Sequence, residues 1–266
     1  MSQVSAANRP VALRSVALPT EHGGWGLTLE PALLGLLVAP SAAGWCLAAG
    51  ALVAFVARTP VKLVLVDRWR GRRLERTALA SKVAAGELVV LAALVTGAIV
   101  LSDGPFWVPV LIAAPLIGVE LWFDMRSRSR RLVPELAGAV AISGVAAMIV
   151  TADGQGASLA AGLWLILAAR ALTSLPFVRA QIARLRGRST APSLLLGADL
   201  AAVVVATAAV GLERSLAWGA VAVVGVVGVQ RVTGRGSPRP PAVLGASQML
   251  LGLGVAVATA AGVLSR

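Results

Sequence analysis

"GWCLAAGALVAFVARTPVKLVLVDRWRGRRLERT", Gly44 to Thr77, is an apolar run that ends in a burst of arginine. Crossing the hydrocarbon of a bilayer takes about 20 mainly apolar residues in a helix. Gly44 to Val66 supplies them, without the strict alternation of a barrel strand. Short loops rich in Lys and Arg stay in the cytoplasm, so "DRWRGRRLERT" also marks the side on which this span ends. The stretch predicts a helical membrane protein with its arginines on one face.

The rest of the chain repeats the pattern. Of its 266 residues 58% are hydrophobic and 14% charged, and none is Tyr, a composition outside the range of soluble domains. Spans are expected at about Gly24 to Ala39, Gly44 to Val66, Leu79 to Leu101, Phe106 to Phe123 and Val133 to Thr151. The others are expected at about Ser158 to Val178, Ser193 to Val210, Leu216 to Gln230 and Ala242 to Val263, the eighth being the shortest. The turn-forming clusters "PSAAG", "LSDGP", "TADGQGAS" and "RGSPRPP" separate some of them. The expected architecture is all-α: one transmembrane domain of nine helices over residues 24–266, preceded by a cytoplasmic segment, 1–23. That segment is polar and basic without a signal-type apolar core, and it is expected to remain on the chain.

Charge orients the bundle. Arg9, Arg14, "DRWRGRRLERT", "RSRSRR", "RAQIARLRGR" and "RVTGRGSPR" fall on one side. The opposite loops hold Asp103, Asp153 and Glu213 with only Arg214 and Arg266. Nine spans then place the N-terminus in the cytoplasm and the C-terminus outside. The formal net charge of +12 is spread over short loops, where positive-inside bias and anionic headgroups account for it; a nucleic-acid partner is not expected. The single Cys46 lies in an apolar run and reads as a core thiol, with no intrachain disulfide possible.

Ionisable groups inside hydrocarbon face a bundle interior or a wet cavity. Glu30, Glu87, Glu120, Glu135, Arg170 and Asp199 qualify, each with a structural and a functional reading. In the sixth span Arg170, Thr173, Ser174, Phe177, Gln181 and Arg184 recur at helical spacing, one stripe carrying donors outward from within the membrane. The second span ends with Arg58 and Lys62 one turn apart around Pro60, which removes a backbone donor and can kink the helix. Forked guanidinium groups suit phosphate, so Arg58, Lys62, Arg68, Arg72 and Arg73 would grip an anionic headgroup, unless the loop is only a topology anchor. Glu120, Asp124, Arg128 and Arg131 stand about a turn apart, with Glu135 following, and read mainly as a pairing cluster.

Nine helices with polar loops after the second and sixth resemble the UbiA superfamily of membrane prenyltransferases. "DRWRGRRLERTALAS", Asp67 to Ser81, is similar to the first UbiA motif, in which several aspartates hold Mg²⁺ on a prenyl diphosphate. Here Leu63, Val64 and Gly71 stand where acidic or amide ligands would be expected, and "FVRAQIARLRGRS" replaces the second motif without a carboxylate. The resemblance leaves Asp67 alone to retain a single Mg²⁺ or to orient an arginine. A nearer resemblance is to the YwiC-like family of bacterial membrane proteins, carried by "EHGGW", "DRWRGRR" and "ARALTSLPFVRAQIARLRG" and spanning most of the chain. It implies a multi-pass protein of the bacterial cytoplasmic membrane.

Two functional readings stand. In one, the chain handles an anionic-headed lipophilic substrate, an isoprenoid or quinone precursor, in a cavity open to the cytoplasm. Arg58, Lys62, Arg68, Arg72, Arg73, Arg170, Thr173, Ser174, Arg179, Gln181 and Arg184 would bind it, with His22 and Glu30 moving a proton beside Asp67. In the other the protein is not catalytic and serves transport, lipid binding or complex assembly. The two are separated by whether the polar stripes of the second and sixth spans share one cavity.

Overall fold

A computed structural model describes residues 13–17, 22–72, 74–126 and 131–265, apart from the side chains of Arg14, Ser15, His22 and Gly23. Its helices are α1 (Leu13–Ala17), α2 (His22–Val38), α3 (Ala42–Trp69), α4 (Glu75–Leu101), α5 (Trp107–Met125), α6 (Leu132–Ala152), α7 (Ala157–Leu185), α8 (Pro192–Leu212), α9 (Ala217–Gly234) and α10 (Pro241–Leu264). A short 3-10 turn, Arg214–Leu216, leads into α9. Arg73, Arg128 and Glu21 lie outside the described residues, as does the His22 side chain at the start of α2.

Among the described residues eight helices, α3 to α10, are long and apolar enough to cross a membrane, and α2 is a shorter apolar helix of 17 residues. At about 1.5 Å per residue α2 reaches roughly 25 Å, short of a hydrocarbon core of about 30 Å. The first expected span, Gly24 to Ala39, is thus present as a helix but is shorter than the eight others. The span expected to be shortest runs from Arg214 to Gly234 instead of stopping at Gln230. Its apolar run ends at Arg231, but the helix continues to Gly234, with Arg231 paired to Asp199 of α8. α3 likewise passes through Pro60 and ends only at Trp69.

Local chemistry places the helix ends. Ser41 in "PSAAG" caps α3, its Oγ accepting from the Gly44 amide at 3.1 Å. Gly71, at φ 64°, lets the chain leave α3 in a left-handed turn, with the Gly71 and Arg72 amides donating to the Arg68 and Asp67 carbonyls. This position resembled a lost metal ligand; its backbone requires glycine for the turn.

Lipid tails are as apolar as leucine, so helix association here rests on close packing and interhelical polar bonds. α6 and α7 form the centre: 67% of the α7 apolar window is buried, against 11% for α4 at the edge. Ile149 of α6 sits between Gly35 of α2 and Gly44 of α3, and a Cβ built on either glycine would lie 2.9 Å from its side chain. The largest apolar core joins Leu34, Val150, Leu163, Ile166, Leu216, Val223 and Val255 from α2, α6, α7, α9, α10 and the 3-10 turn.

Side-chain bridges tie the arginine-rich connections into one end of the bundle. Arg58 of α3 reaches Asp124 of α5, Arg179 of α7 reaches Glu135 of α6, and Arg184 of α7 reaches the carbonyls of Gly234 and Gly236 after α9. At the other end the Asp103 amide donates to the Ala152 carbonyl. Gly35→Val is expected to lower the stability of the detergent-solubilised protein by about 1–3 kcal/mol through overpacking against Ile149. Thermal unfolding measures it, and adding Ile149→Ala should return part of the loss.

Candidate functional site

The α7 stripe is where the buried polar groups collect. Arg170, Thr173, Ser174, Phe177 and Gln181 are all buried, although α7 is otherwise rich in Ala and Leu. Arg170 lies near the middle of the helix, and its Nη2 is 3.0 Å from Glu30 Oε1, itself at the middle of α2. The same nitrogen donates to the Gln248 backbone carbonyl of α10 at 2.6 Å, while Nε has no hydrogen-bond partner among the described residues. The carboxylate fits because α10 offers Gly252 opposite, where a Cβ would overlap Glu30.

From this ion pair a chain of bonds runs toward the arginine-rich end. Gln230 Nε2 of α9 donates to Gln248 Oε1 at 3.0 Å and to Ser174 Oγ at 3.1 Å. The Thr173 hydroxyl donates to Asp199 Oδ1 of α8 at 2.5 Å and lies 2.9 Å from Gln230 Oε1. Arg231 Nε closes the chain on Asp199 Oδ2 at 2.6 Å. Five helices are joined this way. In the other direction Leu34 and Ile166, one turn beyond Glu30 and Arg170, open the apolar core, so the network is one-sided.

A cleft meets this network at the arginine-rich end, lined by Phe177, Gln181, Val229, Thr233, Arg239, Leu244, Ser247, Gln248 and Leu251. Thr233 and Ser247 donate their hydroxyl protons to their own helices, at Val229 and Leu244. Gln181 is 6% exposed and Gln248 7%. Among the described residues, however, neither the Gln181 side chain nor Gln248 Nε2 has a partner, and Arg239 pairs with no carboxylate.

The other expected site residues form separate clusters. Arg58 and Lys62 do not join the α7 stripe. Arg58 lies 2.8 Å from Glu120 and 3.1 Å from Asp124, and Lys62 lies 3.1 Å from Asp124, so α5 engages both cations. α3 packs on α2, α4, α5 and α6, whereas α7 packs on α2, α6, α8, α9 and α10, so α2 and α6 separate the two stripes. Glu120 and Asp124 do pair, and the partners seen among the described residues, Arg58 and Lys62, come from α3. Arg179 pairs with Glu135, Arg184 caps α9, and Arg68 and Arg72 are exposed.

Asp67 is buried and both its oxygens accept hydrogen bonds: Oδ2 from Thr77 at 2.6 Å and Oδ1 from Arg76 at 3.2 Å. It clamps the end of α3 to the start of α4 through the "ERT" residues. Among the described residues no three His, Cys, Asp or Glu side chains gather as metal ligands. One carboxylate already engaged by two donors does not fit a Mg²⁺ ion. Gln230, Gln248, Arg231 and Arg239 escaped the sequence reading, which weighed ionisable groups within spans. The two glutamines, each alone in an apolar helix, were the available signal.

A family model described as YwiC-like protein matches residues 18–150, half of the chain, and the chain belongs to that family. No curated protein matches it. No solved structure matches it.

Arg170→Ala would leave Glu30 buried without its counter-charge and should cost about 3–5 kcal/mol of stability. Replacing both by leucine should recover much of that loss, a contrast that thermal unfolding of the three variants reads directly.

Proposed function

We propose that this YwiC-like membrane protein binds an anionic-headed lipophilic molecule in the cleft between α7, α9 and α10, entered from the face that its arginines mark as cytoplasmic. One observation carries the reading: Gln181 and Gln248, residues otherwise more than nine-tenths buried, turn their amides to a cleft shared with Arg239, where no described residue accepts from Gln181 or from Gln248 Nε2. Donors and a cation without acceptors select an oxyanion. Phe177, Leu244 and Leu251 give the cleft, about 30 Å³ in volume, an apolar side, and a hydrocarbon tail would lie outside it along the helices. An isoprenoid or quinone precursor bearing phosphate, diphosphate or carboxylate has this chemistry. Arg170, Thr173 and Ser174 act behind the cleft: Arg170 holds the Gln248 backbone, and Thr173 and Ser174 hold the Gln230 amide, which donates to Gln248 Oε1.

The reading adopts a nine-helix, UbiA-like bundle in a bacterial cytoplasmic membrane, with the N-terminus inside. It needs no metal, because the grip is supplied by amides and arginine. Arg58 and Lys62 hold α3 to α5 in this scheme and do not hold the ligand. A transport reading draws support from one feature, the path of polar groups from the cleft to Glu30 at mid-membrane.

Native mass spectrometry of the protein purified in mild detergent is expected to show a retained anionic lipid. Gln181→Leu and Arg239→Gln should each reduce retention about tenfold, the loss of one charge-assisted hydrogen bond. A wild-type protein free of lipid, or retention unchanged in both variants, would overturn the binding reading. Ligand flux into proteoliposomes that falls in Glu30→Gln while retention persists would favour transport.

A further inference from the structure

Arg239, the cation of the cleft, is carried by the connection between α9 and α10, in the stretch "RGSPRPP" from Arg235 to Pro241. Little of that stretch can hold itself in place. Pro238, Pro240 and Pro241 have no amide proton to donate. At its start the Arg235 and Gly236 amides donate to the Val232 and Thr233 carbonyls at 3.2 and 3.3 Å, and at its end the Leu244 amide donates to the Pro240 carbonyl at 3.0 Å. Among the described residues no backbone bond reaches Ser237, Pro238 or Arg239 between them.

Arg184 of α7 supplies a hold from outside. Its Nη1 donates to the Gly234 carbonyl at 2.5 Å and its Nη2 to the Gly236 carbonyl at 3.0 Å. These oxygens lie at and just beyond the C-terminal end of α9, where no later amide of the helix is available and the helix dipole favours a cation. Phe177, Gln181 and Arg184 follow at helical spacing and so share one face of α7. The first two line the cleft, and Gly234 packs on both: a Cβ there would lie 3.3 Å from Phe177 Cε2 and 3.5 Å from Gln181 Nε2. One face of α7 thus forms a wall of the cleft and anchors the connection that brings Arg239 to it.

The anchor can be felt at Arg239 because the backbone between them is stiff. Pro238 fixes its own φ and restricts Ser237 before it, and Pro240 restricts Arg239 in the same way. All three residues from the Gly236 carbonyl to the Arg239 side chain are therefore limited in how they bend. We propose that Arg184 is a positioning residue: it holds the connection so that Arg239 faces the cleft, and the ligand meets Arg239 and not Arg184, whose donors are spent on carbonyls outside the cleft lining. This role rests on the binding reading above.

Two measurements on the full chain in detergent test it. A spin label on Ser237→Cys, with Cys46→Ser as background, reads the connection directly. Its spectrum is expected to sharpen in Arg184→Ala and to stay broader in Arg184→Lys, whose ammonium still reaches one carbonyl. Binding of farnesyl phosphate, an oxyanion on a hydrocarbon tail, is titrated by native mass spectrometry. Arg184→Ala and Arg239→Gln should each weaken it about tenfold, and the double variant should bind no more weakly than Arg239→Gln alone, because one residue acts through the other. Unchanged thermal unfolding of Arg184→Ala separates loss of positioning from loss of fold. Losses that multiply to about a hundredfold in the double variant would mean that Arg184 touches the probe itself and would overturn the proposal. An unchanged label spectrum with weakened binding in Arg239→Gln would overturn the positioning role alone. A sharpened spectrum with full binding in Arg239→Gln would overturn the cleft reading, and the positioning role with it.

Discussion

A charge inside a bilayer has no water to turn to, and the pairing of Arg170 with Glu30 is the point from which the rest of this structure is arranged. The pair joins the middles of α2 and α7, and the guanidinium also holds the Gln248 carbonyl of α10. Three helices are thereby set in register at one height. The glycine opposite the carboxylate follows from the same requirement, since any side chain at Gly252 would occupy the space the carboxylate needs. A purely apolar contact at this height would fill the space but would not fix the register so narrowly, because apolar surfaces slide against one another at small cost.

From that pair outward, polarity has a direction. Toward the arginine-rich end lie Gln248, Gln230, Ser174, Thr173 and Asp199, each handing a hydrogen bond to the next helix. Toward the other end lie Leu34, Ile166 and Leu163, with no comparable chain of bonds. The interior is wet-compatible on one half and dry on the other, which makes access from one face the physical premise of the binding reading.

The same pairing rule decides which cations are available to anything outside the protein. Arg58, Lys62 and Arg179 carry the positive charge that sequence reading assigned to a headgroup, but they spend it on Asp124, Glu120 and Glu135 of neighbouring helices. Asp67, the remnant of a metal motif by resemblance, is held by Thr77 and Arg76 as a clamp between α3 and α4. What remains at the cleft is a small set: the Gln181 and Gln248 amides and Arg239.

The sequence by itself determined the class of the protein, because runs of about 20 apolar residues and arginine-rich loops have one economical solution in a bilayer. It also placed Arg170, Thr173, Ser174 and Gln181 on one stripe, since helical spacing is local geometry. The partners of that stripe belonged to tertiary structure. Glu30 precedes Arg170 by far in the chain, and Gln230 and Gln248 are neutral residues whose importance appears only when two of them meet. Arg58 and Arg170 looked like one site because both are cations on apolar helices. Packing sets α2 and α6 between their helices, and helix packing depends on side-chain shape at contacts distant in sequence, which no spacing within a single helix records.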